Sequence, residues 1–237
     1  MHIRLVVAVS VLLLILSGSA PLHASAIDST LFTTYTLEGG GTYIDFLVCG
    51  SLPGTSGCYG SGMLGLFGKV GVMIEGNPIS NVKAGRVTRY IYIVDVAYGS
   101  SGNEVALYIY KKVDTINGGD DTVTSSLFKT VILPLTGGNA TVASMAANAK
   151  FLYVGTNQDE LAVQLQKSNL AITRFGGVSG PYNVTAITAD QYGFVTVTWG
   201  NGAGFYVVNP SGQGQSDGGG AAFMLNTLQS TIPSTVQ

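Results

Sequence analysis

The chain has 237 residues, with 11 Lys or Arg, 13 Asp or Glu, 2 His and 2 Cys, and a net charge of −2. Its charged fraction is 10%, well under the roughly 25% of an average soluble domain, and its longest basic run is Lys111-Lys112; a nucleic-acid partner, which needs a basic stripe, is excluded on this ground. The 46% of hydrophobic residues excludes a chain that stays disordered through charge.

The first 26 residues read as an export leader. Arg4 opens it, Leu5 to Leu16 is apolar but for Ser10, and Ala24-Ser25-Ala26 fits the small-x-small rule for cleavage after Ala26. The apolar run is shorter than the about 20 residues that span a bilayer. The expected product, residues 27–237, is secreted or periplasmic with no membrane insertion. Both His2 and His23 fall in the leader. Its removal leaves no imidazole for Ser-His-Asp or Cys-His catalysis, or for a zinc or copper site. No cofactor and no metal site is expected.

Residues 27–237 read as one all-β domain. Its apolar segments are short, rich in β-branched and aromatic residues, and bounded by Gly, Asn, Asp or Pro. Strands are expected at Leu31–Leu37, Tyr43–Val48, Phe67–Ile74, Arg89–Ala97, Val105–Lys111, Leu127–Leu133 and Thr141–Met145. They continue at Phe151–Gly155, Leu161–Leu165, Ala171–Phe175, Val184–Thr188, Phe194–Trp199, Gly204–Val208 and Ala222–Leu228. The 43–62 region carries Cys49 and Cys58 around a turn-rich loop. Two cysteines this close in an exported chain are expected to form a structural disulfide. Asn201-Gly202 signals a tight hairpin turn, and 211–221 reads as a Gly-rich linker to the last strand.

Residues 85–210 contain a faint repeat. Ser144–Gly155 and Ala186–Val197 follow one grammar: a strand ending in small residues, a polar turn, then a strand begun by an aromatic. Phe151 and Phe194 are 43 residues apart, within the about 40–50 of a propeller blade. The run Phe151-Leu152-Tyr153-Val154-Gly155-Thr156-Asn157, followed by Leu161–Leu165 and Ser168-Asn169-Leu170, resembles blades of bacterial β-propeller repeat proteins. The resemblance implies a small propeller-like array of antiparallel blades; a β-sandwich is the alternative. Closure is expected from a composite blade of Leu31–Leu37 and Tyr43–Val48 with Ala222–Leu228. With Val48-Cys49-Gly50 and Gly57-Cys58-Tyr59-Gly60, the chain also resembles small exported bacterial proteins without assigned function. It implies no catalytic residue.

Three groups of side chains are candidates for chemistry. Glu75 and Asp95 lie in or beside apolar strands, where a carboxyl pKa rises; the competing reading makes Asp95 a strand-end cap and Glu75 a loop start. Asn117, Asp120 and Asp121 offer oxygens for calcium but match no known loop spacing, so a solvated turn is favoured. Tyr90, Tyr92, Tyr108 and Tyr110 recur at every second position on neighbouring strands and are expected to share a face. Tyr92, Tyr110 and Trp199 are the ligand-binding candidates, since such rings stack on sugars or on a protein partner; the competing reading, favoured for the tyrosines, packs the rings between blades or against a second sheet. A non-catalytic binding or structural module is expected, with a glycan or a cell-surface protein as partner. The alternatives are a histidine-free carbohydrate-active enzyme using Asp/Glu, or a subunit of an extracellular assembly.

Overall fold

The structure, a computed structural model, describes residues 29–38, 41–52, 55–76, 86–115, 122–159, 161–175, 183–199 and 205–217. The expected leader, the Asn117–Asp121 loop, the Asn201-Gly202 turn and the Ala222–Leu228 strand lie outside them. The described residues are all-β, without a helix. They form four antiparallel meanders in chain order, the blades of a small propeller-like array.

Sheet I holds β1 (Ser29–Thr36), β2 (Thr42–Leu52) and β3 (Thr55–Phe67). Sheet II holds β4 (Val70–Glu75), β5 (Arg86–Tyr98), β6 (Glu104–Thr115) and β7 (Thr122–Thr136). Sheet III holds β8 (Ala143–Ala147), β9 (Phe151–Thr156), β10 (Ala162–Gln166) and β11 (Ile172–Phe175). Sheet IV holds β12 (Val184–Ala189), β13 (Val195–Trp199), β14 (Phe205–Val208) and β15 (Gly214–Asp217).

Period-two alternation gives sheets II and III two apolar faces, and both faces of each are covered. Ile44, Phe46, Val48 and Phe67 of sheet I meet Ile91, Ile93 and Tyr110 of sheet II. The other face of sheet II, with Val94, Val96, Val105 and Leu107, meets Met145, Leu152, Val154 and Leu165 of sheet III. Tyr153 and Ala162, turned the other way, meet Val184, Ile187, Val195 and Val197 of sheet IV. Three cores between four layers replace the single core of the alternative β-sandwich.

The first strands of sheets II, III and IV approach one another in order, β4 on β8 and β8 on β12. Glycine allows this closeness. A Cβ at Gly71 would stand 2.8 Å from the Ala143 Cβ, and one at Gly155 would stand 2.7 Å from Val184 Cγ1. Polar turns join sheets III and IV: Asn148 Nδ2 donates to the Gly193 carbonyl at 3.1 Å, and Gln164 Nε2 to the Gly212 carbonyl at 3.1 Å. The two repeat copies become β8–β9 and β12–β13, with Phe151 opening the second strand of one blade and Phe194 just ahead of the second strand of the next.

Four expectations change. The stretch between the cysteines, expected as a loop, is strand up to Leu52 and again from Thr55: Cys49 and Cys58 are register partners on β2 and β3, joined by a disulfide with Cα atoms 3.9 Å apart. Sheet I takes a third strand, Thr55–Phe67, where no strand was expected before Phe67. Phe67–Ile74 is two strands, β3 ending at Phe67 and β4 starting at Val70. The 211–221 linker contributes Gly214–Asp217 as the outer strand of sheet IV, so the blade-like array runs past 85–210, from β4 to β15.

Candidate functional site

A cleft of about 270 Å³ opens between sheets II and III, lined by Tyr90, Tyr92, Ile109, Phe128, Leu165 and the turn from Lys167 to Leu170. Two strands, β5 and β7, supply its aromatic wall. Tyr90 and Tyr92 are alternate residues of β5 and so share a face, with ring centroids 6.4 Å apart. Phe128 of β7 adds a third ring 5.4 Å from Tyr90 and is 56% exposed. Burial, with Tyr90 as a lesser influence, pushes the Tyr92 hydroxyl up to about 12, so it stays protonated in the neutral range.

The opposite wall is the β10–β11 hairpin turn. Leu170 adopts a left-handed backbone, φ 61°, rare for a residue with a Cβ. Two bonds hold it there: Leu170 N–H donates to the Gln166 carbonyl at 2.8 Å, and Gln166 N–H to the Ala171 carbonyl at 2.9 Å. Its side chain packs on the II–III core, which fixes this wall of the cleft.

Lys167 brings the cleft its charge. Its Nζ lies 5.6 Å from the Tyr92 ring centroid and donates to the Asn148 carbonyl at 2.7 Å. Burial pulls the Lys167 ammonium below its usual 10.5. Among the described residues no carboxylate lines the cleft. Asn169 Oδ1 accepts the Ala171 N–H at 2.9 Å, which leaves its amide NH₂ as a donor.

The sequence-predicted ligand residues do not meet. The β5–β6 register sets Tyr92 opposite Ile109, and Tyr110 opposite Ile91. Tyr90 and Tyr92 therefore face sheet III, while Tyr108 and Tyr110 face sheet I, where Phe67 meets their edges at 5.0 and 6.2 Å. The expected four-tyrosine face is split between two cores. Trp199 ends β13 opposite Val184, on a sheet that contributes nothing to the cleft lining. Tyr92 alone of the three ligand candidates lines the cleft, and it does so from the back, 5% exposed.

The carboxylates are committed elsewhere. Asp95 accepts the N–H groups of Gly68, Lys69 and Ala97 at 2.7, 2.8 and 3.0 Å, which is a strand-end cap. Glu75 pairs with Ile91 and Val70 with Asp95 along the same ladder, so the two candidate acids sit at opposite ends of β4. Glu75 Oε1 instead lies 2.7 Å from Lys112 Nζ, which is also 3.4 Å from Asp114 Oδ2 and donates to Thr30 Oγ1 at 2.5 Å. Arg89 Nη1 reaches the same Asp114 oxygen at 3.0 Å. Burial raises the Asp114 carboxyl above its ordinary value, and Glu75 adds to the rise, against the pull of Lys112 and Arg89. This charged group ties sheet I to sheet II. Among the described residues no three His, Cys, Asp or Glu side chains gather as a metal site.

No family model matches the chain, and no curated protein matches it. Among solved structures it is similar to virginiamycin B lyase from Staphylococcus aureus, at 12% identity and a TM-score of 0.32 over 80% of this chain and 73% of that one. A catalytically inactive variant of that enzyme, solved with quinupristin, gives 12% identity and a TM-score of 0.33 over 80% and 74%. The architecture rests on the strand order above.

Lys167 and Phe128 were not singled out by sequence, and Leu170 was noted only as part of the blade pattern. The available signal was the Ser168-Asn169 turn already noted in the blade pattern, with a lysine beside it.

Proposed function

We propose that this chain is an exported, non-catalytic carbohydrate-binding module that uses the cleft between sheets II and III. The observation that carries the reading is the half-open aromatic wall of Tyr90 and Phe128 set across from the donor-rich turn Lys167–Leu170. Sugar rings combine an apolar C–H face with a rim of hydroxyls. Aromatic side chains serve the first and amide and ammonium donors the second. The volume is near the low end of the about 300–1,000 Å³ of small-ligand pockets, which suits one or two rings. The leader-like residues 1–26 and the Cys49–Cys58 disulfide support an oxidising compartment outside the cytoplasm. The engagement of Asp95, Asp114 and Glu75 in capping and ion pairs supports a non-catalytic role over an acid/base enzyme. Glycan-array binding by the purified protein and its Phe128→Ala variant tests the reading. Retention that is lost in the variant is expected; no retention on any glycan overturns it.

A second reading, a subunit of an extracellular assembly, rests on the outer face of sheet I. Leu31, Tyr35, Leu47, Met63 and Leu66 are exposed there as large apolar side chains. Self-association that rises with concentration and is abolished by Met63→Lys is the expected mark of that role.

A further inference from the structure

We infer that the cleft selects sugar rings bearing a carboxylate, with Lys167 as the residue that recognises the charge. The inference rests on the carbohydrate reading and narrows its ligand. Among the described residues that line the cleft, Lys167 is the one charged side chain, and no carboxylate there neutralises it. One of its three N–H groups is spent on the Asn148 carbonyl at 2.7 Å. The Tyr92 ring takes up another direction at 5.6 Å, through the weak attraction of a cation for an aromatic face. Both partners are neutral, so the positive charge is held in place without being cancelled.

The neighbouring polar groups add to this bias. Asn169 Oδ1 already accepts the Ala171 N–H at 2.9 Å, while its amide NH₂ adds two donors to the ammonium beside the cleft. A neutral sugar presents hydroxyls that both donate and accept, and makes no use of the uncancelled charge. A carboxylate presents only acceptors and adds a charge-assisted bond to the ammonium. The aromatic wall formed by Tyr90 and Phe128, centroids 5.4 Å apart, accepts the ring's apolar face. A hexuronate carries both features on one residue, and a simple inorganic anion carries only one.

The test is isothermal titration of the purified protein with trigalacturonate and with galactotriose, the neutral trisaccharide of the same ring. Lys167→Met, which keeps the apolar stem, and Phe128→Ala are titrated beside it, with far-UV circular dichroism and melting curves confirming that each variant is folded. Binding of trigalacturonate at least about tenfold tighter than galactotriose, with that preference lost in Lys167→Met and all binding lost in Phe128→Ala, is the expected result. Equal affinity for the two sugars, unchanged in Lys167→Met, overturns the charge inference and leaves the carbohydrate reading in place. Binding of neither sugar also overturns it; Phe128-dependent glycan-array retention then tells whether the broader reading survives.

Discussion

Lys167 Nζ stands 5.6 Å from the centre of the Tyr92 ring, and this contact closes the back of the cleft between two blades. The ammonium is partly desolvated there, as its lowered pKa records. Losing the charge relieves that cost, while also losing one hydrogen bond and one ring contact, each worth about 1 kcal/mol. Lys167→Met is therefore expected to change unfolding free energy by no more than about 1 kcal/mol in either direction. Urea denaturation of the two proteins checks this. A loss of several kcal/mol would make Lys167 a structural residue first.

Lys112 behaves differently. Its side chain is fully buried between Glu75, Asp114 and Thr30, so its replacement takes the cation from Glu75 and leaves Asp114 with Arg89 alone. Lys112→Met is expected to cost about 3–5 kcal/mol, read by the same denaturation. It should also loosen sheet I from sheet II, seen as faster amide exchange in β1 and β2.

Asp114 sets a pH dependence of a definite sign. Burial raises its folded pKa above the ordinary 3.8, so the folded state binds this proton more tightly than the unfolded state. Its contribution to stability is therefore most favourable below pH 3.8 and declines as pH rises through the folded value. Asp114→Asn cannot titrate. The stability difference, wild type minus Asp114→Asn, is expected to fall as pH increases from 3 to 7 across about that window. A difference that rises over this range would mean the ion pairs with Lys112 and Arg89 outweigh burial.

Close approach of blades III and IV depends on a missing side chain. A Cβ at Gly155 would press on Val184 at 2.7 Å. Gly155→Ala is expected to destabilise by about 1–3 kcal/mol, and Val184→Ala in the same chain to recover part of that loss. A double-mutant cycle with no coupling between the two positions would contradict the packing described.

The strands of sheets II to IV were legible because their alternation and turn residues agree. Sheet I was harder. The inward positions Gly60 and Gly62 of β3 carry no side chain, because Val123 and the Phe46 ring occupy that space. The strand therefore shows no apolar period and reads as a loop around Cys58. The outer strand of sheet IV, Gly214–Asp217, is polar and short, and looks like a linker for the same reason. The tyrosines illustrate a different limit. Spacing within β5 and within β6 was correct, but pairing Tyr92 with Ile109 instead of Tyr110 is a matter of register, and a shift of one residue exchanges the faces. The cleft itself joins β5 and β7 to a turn of the next blade, a meeting that no local pattern announces.

The central claim, that the II–III cleft is a glycan site, is met most directly by glycan-array binding of the purified protein beside Phe128→Ala and Trp199→Ala. The account predicts retention by the wild type and by Trp199→Ala, whose sheet does not line the cleft, and loss in Phe128→Ala. Retention that survives in Phe128→Ala, or disappears in Trp199→Ala alone, would contradict it.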